Sequence, residues 1–192
     1  MLSSDTLLNI PCVILTGGRS ARMRVGVEQR DKALLEFGNY PTLLAYQHAK
    51  MSALFERVYI SAKRPYPLHA RYILDTKPLF SPLLGIVSAL KTLQESVFII
   101  PIDMPLVRAQ TILKLCECAF SAGVVYAKSE RFYLLGCFQM SMLESLERAL
   151  RSNGSIAQIL QEGLGIELEP SAEFSNCNTY AEYQEALRSW HG

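Results

Sequence analysis

An apolar run, Val13-Ile14-Leu15-Thr16, stops at two adjacent glycines, Gly17 and Gly18. A basic stretch carrying Arg19 and Arg22 follows, and Lys32 arrives just ahead of the next apolar segment, Ala33-Leu34-Leu35. Glycines at such a point let the backbone turn sharply and lie against a ligand where a side chain would collide, leaving amide N–H groups free to meet anionic oxygens. Arg19, Arg22 and Lys32 supply positive charge. The combination suits a grip on a nucleoside triphosphate. It is not a Walker loop, because the chain has no Gly-Lys-Ser or Gly-Lys-Thr. Nor is it a dinucleotide fingerprint, since Arg-Ser-Ala-Arg-Met-Arg follows Gly17-Gly18 where more glycine is required.

A second group lies far along the chain. In Phe98-Ile99-Ile100-Pro101-Ile102-Asp103-Met104-Pro105 a carboxylate stands at the end of a buried strand, just before a rigid turn. Held there, Asp103 suits a hard oxygen ligand for Mg²⁺; an Asx turn, or a cap on a helix starting near Arg108, is the competing reading. Asp75, after Tyr72-Ile73-Leu74, could join Asp103 at the metal, hydrogen-bond the ligand, or serve only its own turn. Asn176-Cys177-Asn178-Thr179 precedes the last helix, where Asn suits an N-cap. Lys63-Arg64-Pro65-Tyr66-Pro67 reads as an exposed loop ahead of a phosphate-binding rim. His48, His69 and His191 are scattered, and no Ser/His/Asp or Cys/His grouping is visible.

The elements that must position these residues follow from hydrophobic spacing. Runs rich in Val, Ile and aromatics at 10–15, 57–61, 72–74, 97–102, 123–127 and 133–139, with a weaker one near 166–168, predict strands. Helical spacing joins Leu44, Met51, Leu54 and Phe55, then Ile112, Cys116, Ala119 and Phe120, then Leu143, Leu146 and Leu150. The alternation predicts βαβ units and a mainly parallel sheet covered on both faces. Cys12–Leu15 and Val97–Ile102 are apolar without alternation, as central strands are. Ligands in such sheets lie beyond the carboxyl ends of the strands, where both candidate groups fall.

Size and charge bound the rest. A chain of 192 residues lies within the single-domain range, so residues 1–192 are expected to form one domain. With 19 basic and 18 acidic residues there is no global field to attract nucleic acid or an anionic membrane. The N-terminus lacks a secretory pattern and no apolar run approaches a membrane span, so a cytoplasmic protein is expected. Five cysteines, at 12, 116, 118, 137 and 177, lack paired zinc spacing and read as reduced thiols.

The elements L-x-G-G-x-x-x-R-M, D-K-A-L-L, I-x-D-M-P and N-x-N-T, in that order over nearly the whole chain, resemble the molybdenum cofactor guanylyltransferase (MobA) family. The resemblance implies a three-layer α/β/α Rossmann-like nucleotidyltransferase fold with a mainly parallel mixed sheet. It also implies transfer of GMP from GTP to the terminal phosphate of molybdopterin, with or without bound molybdenum, giving pyrophosphate. By the same resemblance Leu15, Thr16 and Gly17 would hold the guanine, and Gly18, Arg22 and Lys32 the phosphates. Ser61 and Asp75 would lie at the nucleoside, Asp103 would bind Mg²⁺, and Asn176 and Asn178 would face the pterin. Lys32, Arg22 and Asp103 would carry catalysis, and molybdenum-insertion proteins and apo-molybdoenzymes would be partners. Cytidylyltransferase relatives usually show L-A-A-G at the first turn, so Gly17 favours guanine. Thr16 replaces a usual Ala, Ser61 a frequent Asn, and Ser81 a glycine at an expected turn, while Arg24–Arg30 lengthens the basic loop. The competing functions are a related transferase using CTP or another phosphorylated acceptor, and a non-catalytic GTP- or cofactor-binding delivery protein.

Overall fold

The computed structural model describes residues 7–17, 22–25, 28–75 and 81–190. In chain order its strands and helices are β1 (Cys12–Leu15), β2 (Arg22–Val25), β3 (Glu28–Asp31), α1 (Leu43–Ser52), β4 (Val58–Ala62), β5 (Arg71–Leu74), α2 (Pro82–Leu93), β6 (Val97–Pro101), α3 (Ala109–Glu117), β7 (Val124–Lys128), β8 (Phe132–Phe138), α4 (Leu143–Arg151), α5 (Ile156–Gln161), β9 (Leu164–Glu167) and α6 (Tyr180–Ser189). Short 3₁₀ turns lie at Lys32–Leu34, Met140–Met142 and Ala172–Phe174.

Seven strands form one sheet in the order β5-β4-β1-β6-β8-β7-β9. The first four are mutually parallel, β8 runs antiparallel to both neighbours, and β9 is parallel to β7. Central strands bury both faces, so successive residues feed different cores. Cys12 and Ile14 of β1, with Phe98 and Ile100 of β6, pack against α1, α3 and α6. Val13 and Leu15, with Val97 and Ile99, pack against α2, α4 and α5. This is the three-layer α/β/α arrangement with a mainly parallel mixed sheet that the sequence predicts.

Two expectations are corrected. The basic stretch after Gly18 is not wholly a loop: β2 and β3 pair antiparallel, Arg22 opposite Asp31 and Val25 opposite Glu28. Ser81 is the N-cap of α2, with φ −144° and ψ 135° and Pro82 following at the first helical position. That extended conformation is open to any residue, so losing a glycine there costs nothing. Among the described residues no helix is long and apolar enough to cross a membrane, and all five cysteines are free thiols. Burial pushes the Cys12 thiol well above its usual value, which keeps it protonated and inert.

Candidate active site

The loops at the carboxyl ends of β1, β4, β5 and β6 bring the two candidate groups to one side of the sheet. Asp31 N-caps the 3₁₀ turn that follows β3, its Oδ1 accepting from the Ala33 N–H at 3.0 Å. That cap turns the Lys32 side chain inward, where the residue is 3 % exposed. Its Nζ donates to Asp103 Oδ2 at 3.0 Å, to Asn178 Oδ1 at 3.4 Å and to the Cys177 carbonyl at 3.5 Å. The Cys177 N–H in turn donates to the Asp103 carbonyl at 2.8 Å. One ammonium group therefore joins three segments remote in sequence, and a buried cation demands such partners.

This geometry decides between readings left open above. Asp103 does not cap α3: the N–H of Arg108 there donates to Glu173, at 2.8 Å. Asn178 does not cap α6 either. Thr179 does, in a capping box with Glu182, so the Asn178 side chain is spent on Lys32. Burial pushes the Glu182 carboxyl up, but N–H donation from Thr179 and Asn178 and the Thr179 hydroxyl hold it below its usual value. Cys177 is no nucleophile, since burial first, and Asp103 second, push its thiol up to about 12. Asn176 places Oδ1 in a buried position with no partner among the described residues.

Main-chain register builds the other side of the site. Leu15 ends β1, and its carbonyl accepts from the Ile102 N–H at 3.0 Å. Thr16 is buried, its N–H and its hydroxyl both donating to the Ser61 carbonyl, at 3.1 and 2.8 Å. Ser61 is buried at the β4 end, and a Cβ added at Gly85 of α2 would lie 3.1 Å from its Oγ. Gly17 is exposed, takes no left-handed φ, and a Cβ there would meet nothing within 4 Å among the described residues. Among the described residues neither its own φ nor packing requires a glycine there, and the turn expected at Gly17-Gly18 continues outside the described residues.

Asp75 follows β5, its N–H on the Ala62 carbonyl at 3.0 Å and its carboxylate paired with Lys63 at 2.7 Å. Two strands separate β5 from β6, about 14 Å at the usual strand spacing. Asp75 and Asp103 thus follow strands three places apart in the sheet. The Lys63–Pro67 segment is more than an exposed loop: the half-buried Tyr66 hydroxyl donates to Asp31 Oδ2 at 3.0 Å, and burial is the first of several causes that push it up to about 12. Gly18 and Arg19 lie outside the described residues, as does the side chain of Arg22, whose backbone belongs to β2. Sequence reasoning also missed a cavity of about 490 Å³ between the β3 end and α6, lined by residues that include Arg30, Asp31, Leu34, Glu36, Tyr180 and Tyr183. Its signal was the pair Tyr180 and Tyr183, one turn apart on α6 and stacked at 5.7 Å.

The sequence signature of the MobA-like NTP transferase domain matches residues 12–167. This chain belongs to the MobA-like NTP transferase family. Among relatives, the molybdenum cofactor guanylyltransferase of Helicobacter pylori strain G27 is 40% identical over 94% of this chain and 92% of its own length. That of Campylobacter jejuni strain RM1221 is 29% identical over 93% and 96%. Among solved structures, molybdopterin-guanine dinucleotide biosynthesis protein A of Archaeoglobus fulgidus superposes with a TM-score of 0.76 at 19% identity, over 94% of this chain and 98% of that one. The 2-C-methyl-D-erythritol 4-phosphate cytidylyltransferase of Francisella tularensis superposes with a TM-score of 0.67 at 14% identity, over 95% and 100%. The fold is thus shared by MobA-like enzymes and a cytidylyltransferase, and the base preference must come from the site.

Proposed function

We propose that this MobA-like chain, acting as one domain, transfers GMP from GTP to the terminal phosphate of molybdopterin and releases pyrophosphate. The observation that carries the reading is the convergence of Lys32, Asp103 and Asn178 beside a rim built from Leu15, Thr16 and Ser61. The name and 40% identity of the Helicobacter relative supply the two substrates. Gly17, with no neighbour among the described residues that a side chain would strike, supports a purine lying against it.

The chemistry is an in-line displacement at the α-phosphorus of GTP. An oxygen of the acceptor phosphate forms the new P–O bond, and the bond to the β-phosphate breaks with its electron pair leaving on pyrophosphate. A phosphate monoester, with its second pKa of about 6, is already mostly dianionic at neutral pH. No general base is needed, and none of the described histidines stands at the site. Catalysis then rests on positioning and on charge placed against the departing oxygens. Lys32 fits that role because two of its three bonds are long, at 3.4 and 3.5 Å, and phosphate oxygens can replace them with little loss. Arg22 and Gly18 are assigned to the phosphates by their place in the motif. Asp75, tied to Lys63, is assigned to the nucleoside edge. Asn176 and Asn178 are assigned to the pterin side by their place in the N-x-N-T motif.

Asp103 is the residue assigned to Mg²⁺. Its Oδ1 makes no hydrogen bond among the described residues, and no group of three or more His, Cys, Asp or Glu able to hold a metal occurs among them. One open carboxylate oxygen suits an ion that takes its remaining ligands from phosphates and water. When bound, Mg²⁺ supplies Lewis-acid neutralisation of charge on the α-phosphate.

The test is to incubate the protein with molybdopterin, Mg²⁺ and either GTP or CTP and to measure the dinucleotide formed. The proposal expects the guanine dinucleotide with GTP and at most trace product with CTP. Equal or faster reaction with CTP would favour the competing cytidylyltransferase reading.

A further inference from the structure

Three side chains of α1 end on the turn that carries Asp103. Gln47, with no exposed surface, donates through Nε2 to the Met104 carbonyl at 3.2 Å and more weakly to the Pro101 carbonyl at 3.5 Å. Tyr46 donates its hydroxyl to the Pro105 carbonyl at 3.3 Å, and Lys50 Nζ donates to the same oxygen at 2.7 Å. These carbonyls bracket Asp103 on both sides. Pro101 and Pro105 have no N–H to give; the Pro101 carbonyl accepts from the Met104 N–H of the turn itself at 3.3 Å, while the Met104 and Pro105 carbonyls take their donors from α1.

The other end of the Gln47 amide is the informative one. Its Oε1 is buried with no partner among the described residues. An unsatisfied buried acceptor is a cost that a methionine or leucine of similar volume would avoid. Gln47 also interrupts an apolar stripe, with Leu43, Leu44 and Met51 buried beside it. A hydrocarbon there would remove that orphan but leave the buried Met104 carbonyl without its donor, so the part of the side chain in use is its N–H₂ group on the Asp103 turn.

We infer that Gln47 is a positioning residue for nucleotidyl transfer, its amide holding the Met104 and Pro101 carbonyls so that the Asp103 carboxylate meets Lys32 and the reacting phosphate. The inference rests on the reading of Asp103 given above. Tyr46 and Lys50 assist from the surface side through Pro105. A displacement on the order of 1 Å at a reacting centre costs about 10²-fold in rate, which sets the scale of the effect.

The experiment compares Gln47→Met with wild type for kcat, for KM toward GTP, and for the thermal midpoint with and without GTP. The expected result is a kcat lower by about 10- to 100-fold, a KM for GTP changed less than about twofold, and a midpoint that changes little, since the orphaned Gln47 Oε1 is exchanged for a Met104 carbonyl without its donor. A merely structural role would lower the midpoint and leave kcat of the folded fraction intact, and that result overturns the inference. Should Gln47→Met fail to fold, the double variant Tyr46→Phe with Lys50→Met carries the test, and a kcat within about twofold of wild type then overturns it. Asp103→Asn is assayed alongside. Full turnover in Asp103→Asn removes the reading of the site itself, whereas loss of turnover there with an unchanged Gln47→Met removes only the role of Gln47.

Discussion

At the nucleoside rim, Thr16 is tied to the Ser61 carbonyl and Asp75 to the Ala62 carbonyl by main-chain N–H donors, as continuations of the β1–β4 and β4–β5 ladders. Around Lys32, the ties are side chains reaching across 71, 145 and 146 residues of sequence. The difference teaches where substitution is tolerated. A rim placed by strand register keeps its shape when a side chain changes, which explains how Thr16 and Ser61 can stand where the family often has other residues. A node held by one buried ammonium group has no such reserve.

The comparison is broken most easily at Lys32. Lys32→Met removes charge from the phosphates and leaves the partly buried Asp103 carboxylate without its cation. Turnover should fall by about 10²–10³, as for loss of one donor to a developing oxyanion. Stability should fall by about 3 kcal/mol, the lower edge for breaking a buried pair, read from urea unfolding. A variant with near-normal turnover would show that the node only holds the fold.

Lys50 tests the same side through pH. Burial lowers its ammonium from 10.5 to about 8. Below pH 8 it is charged in both folded and unfolded chains, and the cost of burying that charge is fully present. Between pH 8 and 10.5 the folded state holds fewer protons than the unfolded state, so this residue's contribution to stability rises with pH. Relative to Lys50→Met, wild type should gain about 2–3 kcal/mol between pH 7 and pH 10.5, and parallel stability curves would refute the burial account.

On the rim, Gly17→Ala should leave the unfolding midpoint unchanged, because its new methyl meets no atom within 4 Å among the described residues. It should weaken GTP binding by roughly tenfold, about 1.4 kcal/mol, as followed by calorimetric titration. Unaltered affinity would mean that no base lies against Gly17. Smallest of all, Thr16→Ala loses a hydroxyl bond to a carbonyl that the Thr16 N–H already satisfies. The expected change is about 0.5 kcal/mol in stability and less than about twofold in KM for GTP. A larger change in KM would give the hydroxyl a role in base recognition.

The strands that carry the site were legible because β1 and β6 are unbroken apolar runs, and α1 because Leu44 and Met51 share its buried face. The β2–β3 ribbon was not, since Arg-Met-Arg-Val and Glu-Gln-Arg-Asp show no apolar face and the pairing is made by backbone. In the site, Lys32, Asp103 and Asn178 could each be singled out by motif, but not their meeting, which depends on where the chain returns after α5 and β9. Asp31 stood in the D-K-A-L-L motif and Tyr66 in the Lys63–Pro67 segment, but their work was not legible because it is to orient a neighbour. Gln47 left a usable signal, a polar residue inside an apolar helical stripe.

The most direct test of the central claim, that Asp103 and Lys32 form a guanine nucleotide site completed by Mg²⁺, is thermal stabilisation by GTP, CTP, ATP and UTP. It is measured with and without Mg²⁺ in wild type and Asp103→Asn, since a ligand of the folded state raises the midpoint by RT ln(1 + [L]/Kd). The account predicts a shift selective for GTP, with a Mg²⁺ increment that Asp103→Asn loses. An equal shift with CTP, or a Mg²⁺ increment that survives in Asp103→Asn, would contradict it.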